Sequence, residues 1–105
     1  MKPIGLTSYE IDLIRRVFRR FPAIQEVVLY GSRAKGTYQP GSDIDLALIG
    51  VADALQAEAV ADELNELPLP YWFDVKAYGD IKYAPLQEHI ARVGVSLYRR
   101  DPSTS

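Results

Sequence analysis

The sequence has no cysteine and only one histidine, His89. A disulfide framework, a cysteine-built zinc site and a histidine-rich metal site are all excluded. Any metal it binds should be hard and oxygen-ligated: Mg²⁺, Mn²⁺ or Ca²⁺. No stretch approaches the roughly 18 consecutive apolar residues of a membrane span, and the N-terminus lacks an apolar segment ahead of a small-residue cleavage site. The expected location is cytoplasmic. An excess of positive charge is also missing, with 12 basic against 14 acidic residues and a net charge of −2. No direct nucleic-acid partner is expected from that balance. There is no internal repeat, linker or low-complexity stretch apart from a polar tail, Asp101 to Ser105.

What is present is an ordinary globular composition, 48% hydrophobic and 25% charged over 105 residues. That length suits one compact domain. The expectation is a single domain over residues 1–100, with the tail at 101–105.

Thr7-Ser8-Tyr9-Glu10 has the spacing of a capping box, and Ile11, Ile14, Val17, Phe18 and Phe21 follow at helical intervals until Pro22. This predicts a first helix over about 8–20. Glu26 to Tyr30 is β-branched and apolar and ends at Gly31, which predicts a buried strand and a tight turn. Ser32 to Lys35 has room for one helical turn. Residues 36–42 are turn-formers, and Ile44 to Ile49 resumes as a second strand. Asp53 caps a helical pattern through Leu55, Val60, Leu64 and Leu67, closed by Pro68 and Pro70. Trp72 to Tyr78 reads as a third strand. A last helix runs from about Ala84 to Val93 and stops at Gly94, with Val95 to Tyr98 as a short edge strand. The fold class expected is α/β (α+β), a small mixed sheet of three to four strands with helices packed against it.

Side chains alternate along a strand, so Asp43 and Asp45 share one face while Ile44, Leu46 and Leu48 take the other. Two like charges held together attract a hard cation. Mg²⁺ shares its coordination between one or two carboxylates and substrate phosphate oxygens, so a D-x-D pair is half of a metal–nucleotide site. Gly31-Ser32 offers the other half, a close backbone approach, a hydroxyl and the free N–H groups of the next turn, with Arg33 and Lys35 adding positive charge. Asp74, between Phe73 and Val75, is a third carboxylate, enough for two metals about 3.5–4 Å apart. Each piece alone is weak, because acidic pairs at strand ends often only cap a turn. Their joint order along three strands is specific.

Tyr30-Gly31-Ser32-Arg33-Ala34-Lys35-Gly36 followed by Gly41-Ser42-Asp43-Ile44-Asp45-Leu46 resembles the signature of the DNA polymerase β-like nucleotidyltransferases, and most closely their minimal nucleotidyltransferase (MNT) branch. Phe73-Asp74-Val75 and the ending from Ile90 to Tyr98 extend the resemblance over nearly the whole chain. It implies the nucleotidyltransferase fold, with Gly31 and Ser32 binding the triphosphate of ATP. It further implies that Asp43 and Asp45 ligate two Mg²⁺ ions, and that Asp74 ligates one and helps activate the attacking hydroxyl. Arg33 and Lys35 resemble residues common in this branch; they are candidates for phosphate contact, with a solvated positive turn as the alternative. The branch typically works as the antitoxin to a helical HEPN ribonuclease toxin, which implies transfer of AMP to a toxin tyrosine within a hetero-oligomer. Neutralisation by binding alone, and nucleotidylation of a small molecule such as an aminoglycoside, are the alternatives.

Other features have simpler readings. Arg15, Arg16, Arg19 and Arg20 are expected on a solvated helix face. His89 is expected to pack without a partner. Tyr71, Trp72, Tyr78 and Tyr83 are expected mostly in the core, with one or two available to anchor a partner.

Overall fold

A computed structural model of the chain describes residues 4–39 and 41–100. The tail expected at Asp101 to Ser105 lies outside these residues. The first helix, α1 (Ser8–Arg19), opens on the capping box seen in the sequence. Thr7 Oγ1 accepts from the Glu10 N–H at 3.1 Å, and Glu10 Oε1 accepts from the Thr7 N–H at 2.9 Å. These bonds satisfy backbone donors that a helix start leaves without partners.

Four strands follow: β1 (Glu26–Tyr30), β2 (Ile44–Ile49), β3 (Phe73–Ala77) and β4 (Val95–Arg99). They form one sheet in the order β3-β2-β1-β4. β1 is antiparallel to both β2 and β4, while β2 and β3 are parallel. A parallel pair needs a crossover, which α3 (Ala54–Asn65) provides. The turn α2 (Ser32–Lys35) lies between β1 and β2, and α4 (Ala84–Val93) between β3 and β4.

Alternation divides the sheet into two faces. Val27, Leu29, Ile44, Leu46, Leu48, Phe73 and Ala77 pack with Ile14, Val17 and Phe18 of α1 and Ala57, Val60 and Leu64 of α3. This is the main core. On the other face Tyr30 and Ala47 meet Ile90 of α4 and Ile81. Two expectations about side chains need correction. Leu55 is 72% exposed, because the buried stripe of α3 runs through Ala57, Val60 and Leu64. The aromatic group is not mostly core: Trp72 is 63% and Tyr83 69% exposed, and Tyr71 and Tyr78 are only partly buried. Trp72 stands just before β3 and Tyr83 at the N-cap of α4, so no strand alternation turns either inward. Among the described residues no helix is long and apolar enough to cross a membrane.

Candidate active site

The face that carries α4 also carries the polar row. Tyr30 lies opposite Asp45 in the β1–β2 register, and Asp45 lies opposite Asp74 in the β2–β3 register. Three adjacent strands thus bring one tyrosine and two aspartates side by side, although 44 residues of sequence separate Tyr30 from Asp74 (74 − 30). Asp43 stands one pleat outward on the same face, exposed, just before β2 begins.

The backbone turn meets these carboxylates at Gly31. Its φ of 79° and ψ of −155° belong to a region open essentially only to glycine. A Cβ there would lie 2.4 Å from Asp45 Oδ2. The turn is therefore pressed against the Asp45 carboxylate with no room for a side chain. Ser32 then starts α2, whose first N–H groups have no intrahelical acceptor.

Electrostatics mark the same spot. Burial pushes the Asp45 carboxyl above the ordinary aspartate range, and the neighbouring charges of Asp74 and Asp43 push it further, against Lys76 and His89. Burial, then the charges of Asp45 and Asp74, push the Tyr30 phenol up as well. The Tyr30 hydroxyl, in a residue 5% exposed, is a buried side-chain polar atom without a hydrogen-bond partner among the described residues. An under-neutralised set of carboxylates beside an orphan hydroxyl is a donor set suited to a hard divalent cation. Among the described residues no three acidic or histidine side chains are already gathered as a coordination cage. Mg²⁺ requires no such cage, because substrate phosphates complete its shell.

Two residues of this face escaped the sequence reading. Lys76 Nζ reaches Asp74 Oδ1 at 3.4 Å, as i and i+2 in a strand must share a face. That alternation was available in the sequence. His89 was expected to pack without a partner; instead it stands edge-on to Tyr30, ring centroids 6.2 Å apart, and its charge bears on Asp45. The docking of α4 places it there, and no local pattern announces it.

The signature cations part company. Lys35 is exposed at the end of α2. Arg33 is 2% exposed, which corrects the picture of a solvated positive turn. Its Nε and Nη2 donate to the Ser42 carbonyl at 3.2 and 3.0 Å, and Nη1 to the Ile4 carbonyl at 3.1 Å. The α1 arginines are exposed as expected. Arg15 nevertheless donates to the Leu97 carbonyl at 2.7 Å, and Arg20 pairs with Glu63.

A glycine turn set against strand-borne aspartates on a four-stranded mixed sheet defines a nucleotidyltransferase-type protein. The family model described as polymerase beta, nucleotidyltransferase matches residues 12–103, and the chain belongs to that family. No curated protein sequence matches the chain significantly. Solved structures give the fold. A crystal structure of a toxin–antitoxin with AMP-PNP matches at TM-score 0.70 and 23% identity, over 93% of this chain and 77% of that one. A tri-AMPylated Shewanella oneidensis HEPN toxin in complex with MNT antitoxin matches at TM-score 0.69 and 19% identity, over 94% and 77%. An MntA–HepT toxin–antitoxin structure matches at 0.68 and 20%, over 90% and 74%.

Proposed function

We propose that this protein is a Mg²⁺-dependent nucleotidyltransferase antitoxin that transfers AMP from ATP to a tyrosine hydroxyl of a partner HEPN toxin and so silences it. The observation that carries the reading is the contact between the Gly31 turn and Asp45, with Asp74 beside Asp45 in register. Gly31 and Ser32 hold the triphosphate through backbone N–H groups and the serine hydroxyl, with Lys35 as a flanking cation. Asp43, Asp45 and Asp74 would hold two Mg²⁺ ions, which when bound supply charge neutralisation at the entering and leaving oxygens. Asp74 takes the proton of the acceptor hydroxyl as its oxygen bonds to the α-phosphorus and the bond to pyrophosphate breaks. Lys76 holds the Asp74 carboxylate in place for that step. The toxin as partner is supported by the toxin–antitoxin complexes of like fold, one with an AMPylated toxin. A cytoplasmic location goes with dependence on ATP.

A second reading, neutralisation by binding alone, draws on the exposed Trp72 and Tyr83, since large aromatic side chains anchor protein interfaces. Intact-mass analysis of the partner after incubation with this protein, Mg²⁺ and ATP decides between them. Each transferred AMP adds one nucleotidyl mass, and Asp43→Asn or Asp45→Asn abolishes the addition. Protection of the partner by both variants without ATP, with no mass added by the wild type, supports binding alone.

A further inference from the structure

Arg33 is a buried charge that the chemistry above leaves without a role. Its guanidinium lies between two aromatic rings, 5.1 Å from the Tyr38 centroid and 4.8 Å from that of Tyr71. No carboxylate ion-pairs with it among the described residues; carbonyls and ring faces compensate its charge instead. Three of its donors are committed, two of them to one atom, the Ser42 carbonyl oxygen. That oxygen belongs to the peptide bond that leads into Asp43.

The elements it gathers are those that frame the site. Tyr38 comes from the turn before the aspartates, whose end is pinned by the Gln39 N–H donating to Ser42 Oγ at 2.8 Å. Tyr71 leads into β3, and its hydroxyl donates to Glu10 of α1 at 3.0 Å. The next carbonyl, of Trp72, accepts from the Ile44 N–H at 2.9 Å, one residue beyond Asp43. Ile4 closes the other side, where Gly5 has φ +78° and a Cβ would stand 2.6 Å from both Arg33 Nη1 and Tyr38 Cε2. Asp43 sits just outside β2, so the sheet ladder does not hold the Ser42–Asp43 peptide.

We propose that Arg33 is a positioning residue that clamps the Ser42–Asp43 peptide and thereby sets the affinity of the carboxylate site for a divalent cation. The proposal rests on the nucleotidyltransferase reading for the cation but on hydrogen bonds and stacking for the clamp. Lysine cannot replace it, having neither a planar face to stack nor a fork for one carbonyl.

The test uses Arg33→Lys and Tyr38→Leu, the second leaving the guanidinium in place but removing one wall of its slot. Mn²⁺ is titrated calorimetrically into nucleotide-free protein, and backbone amide exchange is followed at Asp43 and Ile44. Both variants should bind Mn²⁺ about tenfold or more weakly, as when residues that orient ligands are changed. Both should exchange faster at Asp43 and Ile44 while the centres of β1 and β2 keep their protection. If Arg33→Lys leaves Mn²⁺ affinity and exchange unchanged and raises only the KM for ATP, Arg33 is a phosphate ligand and the clamp is wrong. A wild type that binds no Mn²⁺, with or without a non-hydrolysable ATP analogue, overturns the metal half and the metal-dependent transfer proposed above. Exchange still judges the clamp in that case, and unchanged rates in both variants overturn it. Should Arg33→Lys fail to fold, Tyr38→Leu carries both measurements.

Discussion

Replacing Asp45 with asparagine should make the metal-free protein more stable while removing its activity. Asp45 and Asp74 are paired in register on neighbouring strands, which places their charges about 5 Å apart. Like charges at that distance repel by about 0.8 kcal/mol in water and about 3 kcal/mol at an effective dielectric of 20. Lys76 offsets part of this through its ion pair with Asp74. A net gain of about 1 kcal/mol is expected for Asp45→Asn, a rise in Tm of about 4–8 °C for a domain of about 100 residues. The gain depends on pH with a definite sign. Because the folded protein raises the Asp45 pKa, it holds that proton to higher pH than the unfolded chain does. The stability this contributes is complete below the unfolded pKa of about 4 and is lost as pH rises through the folded value. The variant's advantage should therefore vanish near pH 4 and grow toward neutrality. Mg²⁺ should reverse the order, stabilising the wild type by mass action and the variant much less. Thermal unfolding by circular dichroism at pH 4 and 7, with and without Mg²⁺, measures all of this. A metal-free variant less stable than wild type at pH 7 refutes the argument that the Asp45 charge is unfavourable in the folded protein.

Gly31→Ala should fail on two counts. It puts an ordinary residue at φ 79°, ψ −155°, at a cost of about 1–3 kcal/mol, and drives a methyl into Asp45 Oδ2. Urea denaturation should register the loss, and intact-mass assay of the partner should show no added AMP. Thr7→Ala removes one side of the capping box and should cost about 1 kcal/mol. The denaturation midpoint should fall at constant m-value; an unchanged midpoint would show that the box adds nothing to the stability of α1.

The elements were legible because each is written in a local period. The box Thr7–Glu10, the β-branched run at Val27 and Val28, and the proline in the first turn of α4 each act within one or two turns of chain. The aromatic residues were misread for the complementary reason. Trp72 and Tyr83 are as hydrophobic as the core requires, but one precedes β3 and the other stands at the N-cap of α4, and hydrophobicity does not tell such a position from a strand. Leu55 was misread likewise, since it fits the helical period loosely while Ala57 fits the buried stripe.

By itself the sequence determined which chemistry was available. The lack of cysteine and the single histidine left oxygen ligands, and alternation about Ile44 put Asp43 and Asp45 on one face whatever the sheet order. Only the tertiary structure decided what stands beside them. The register that sets Tyr30, Asp45 and Asp74 in one row is a long-range pairing, as are the docking of His89 and the path of Arg33 beneath Tyr38 and Tyr71. A signature can say that an arginine follows Gly-Ser. Whether its charge faces a phosphate or a backbone carbonyl depends on which distant segments fold over it, and here Ile4, Ser42 and Tyr71 do.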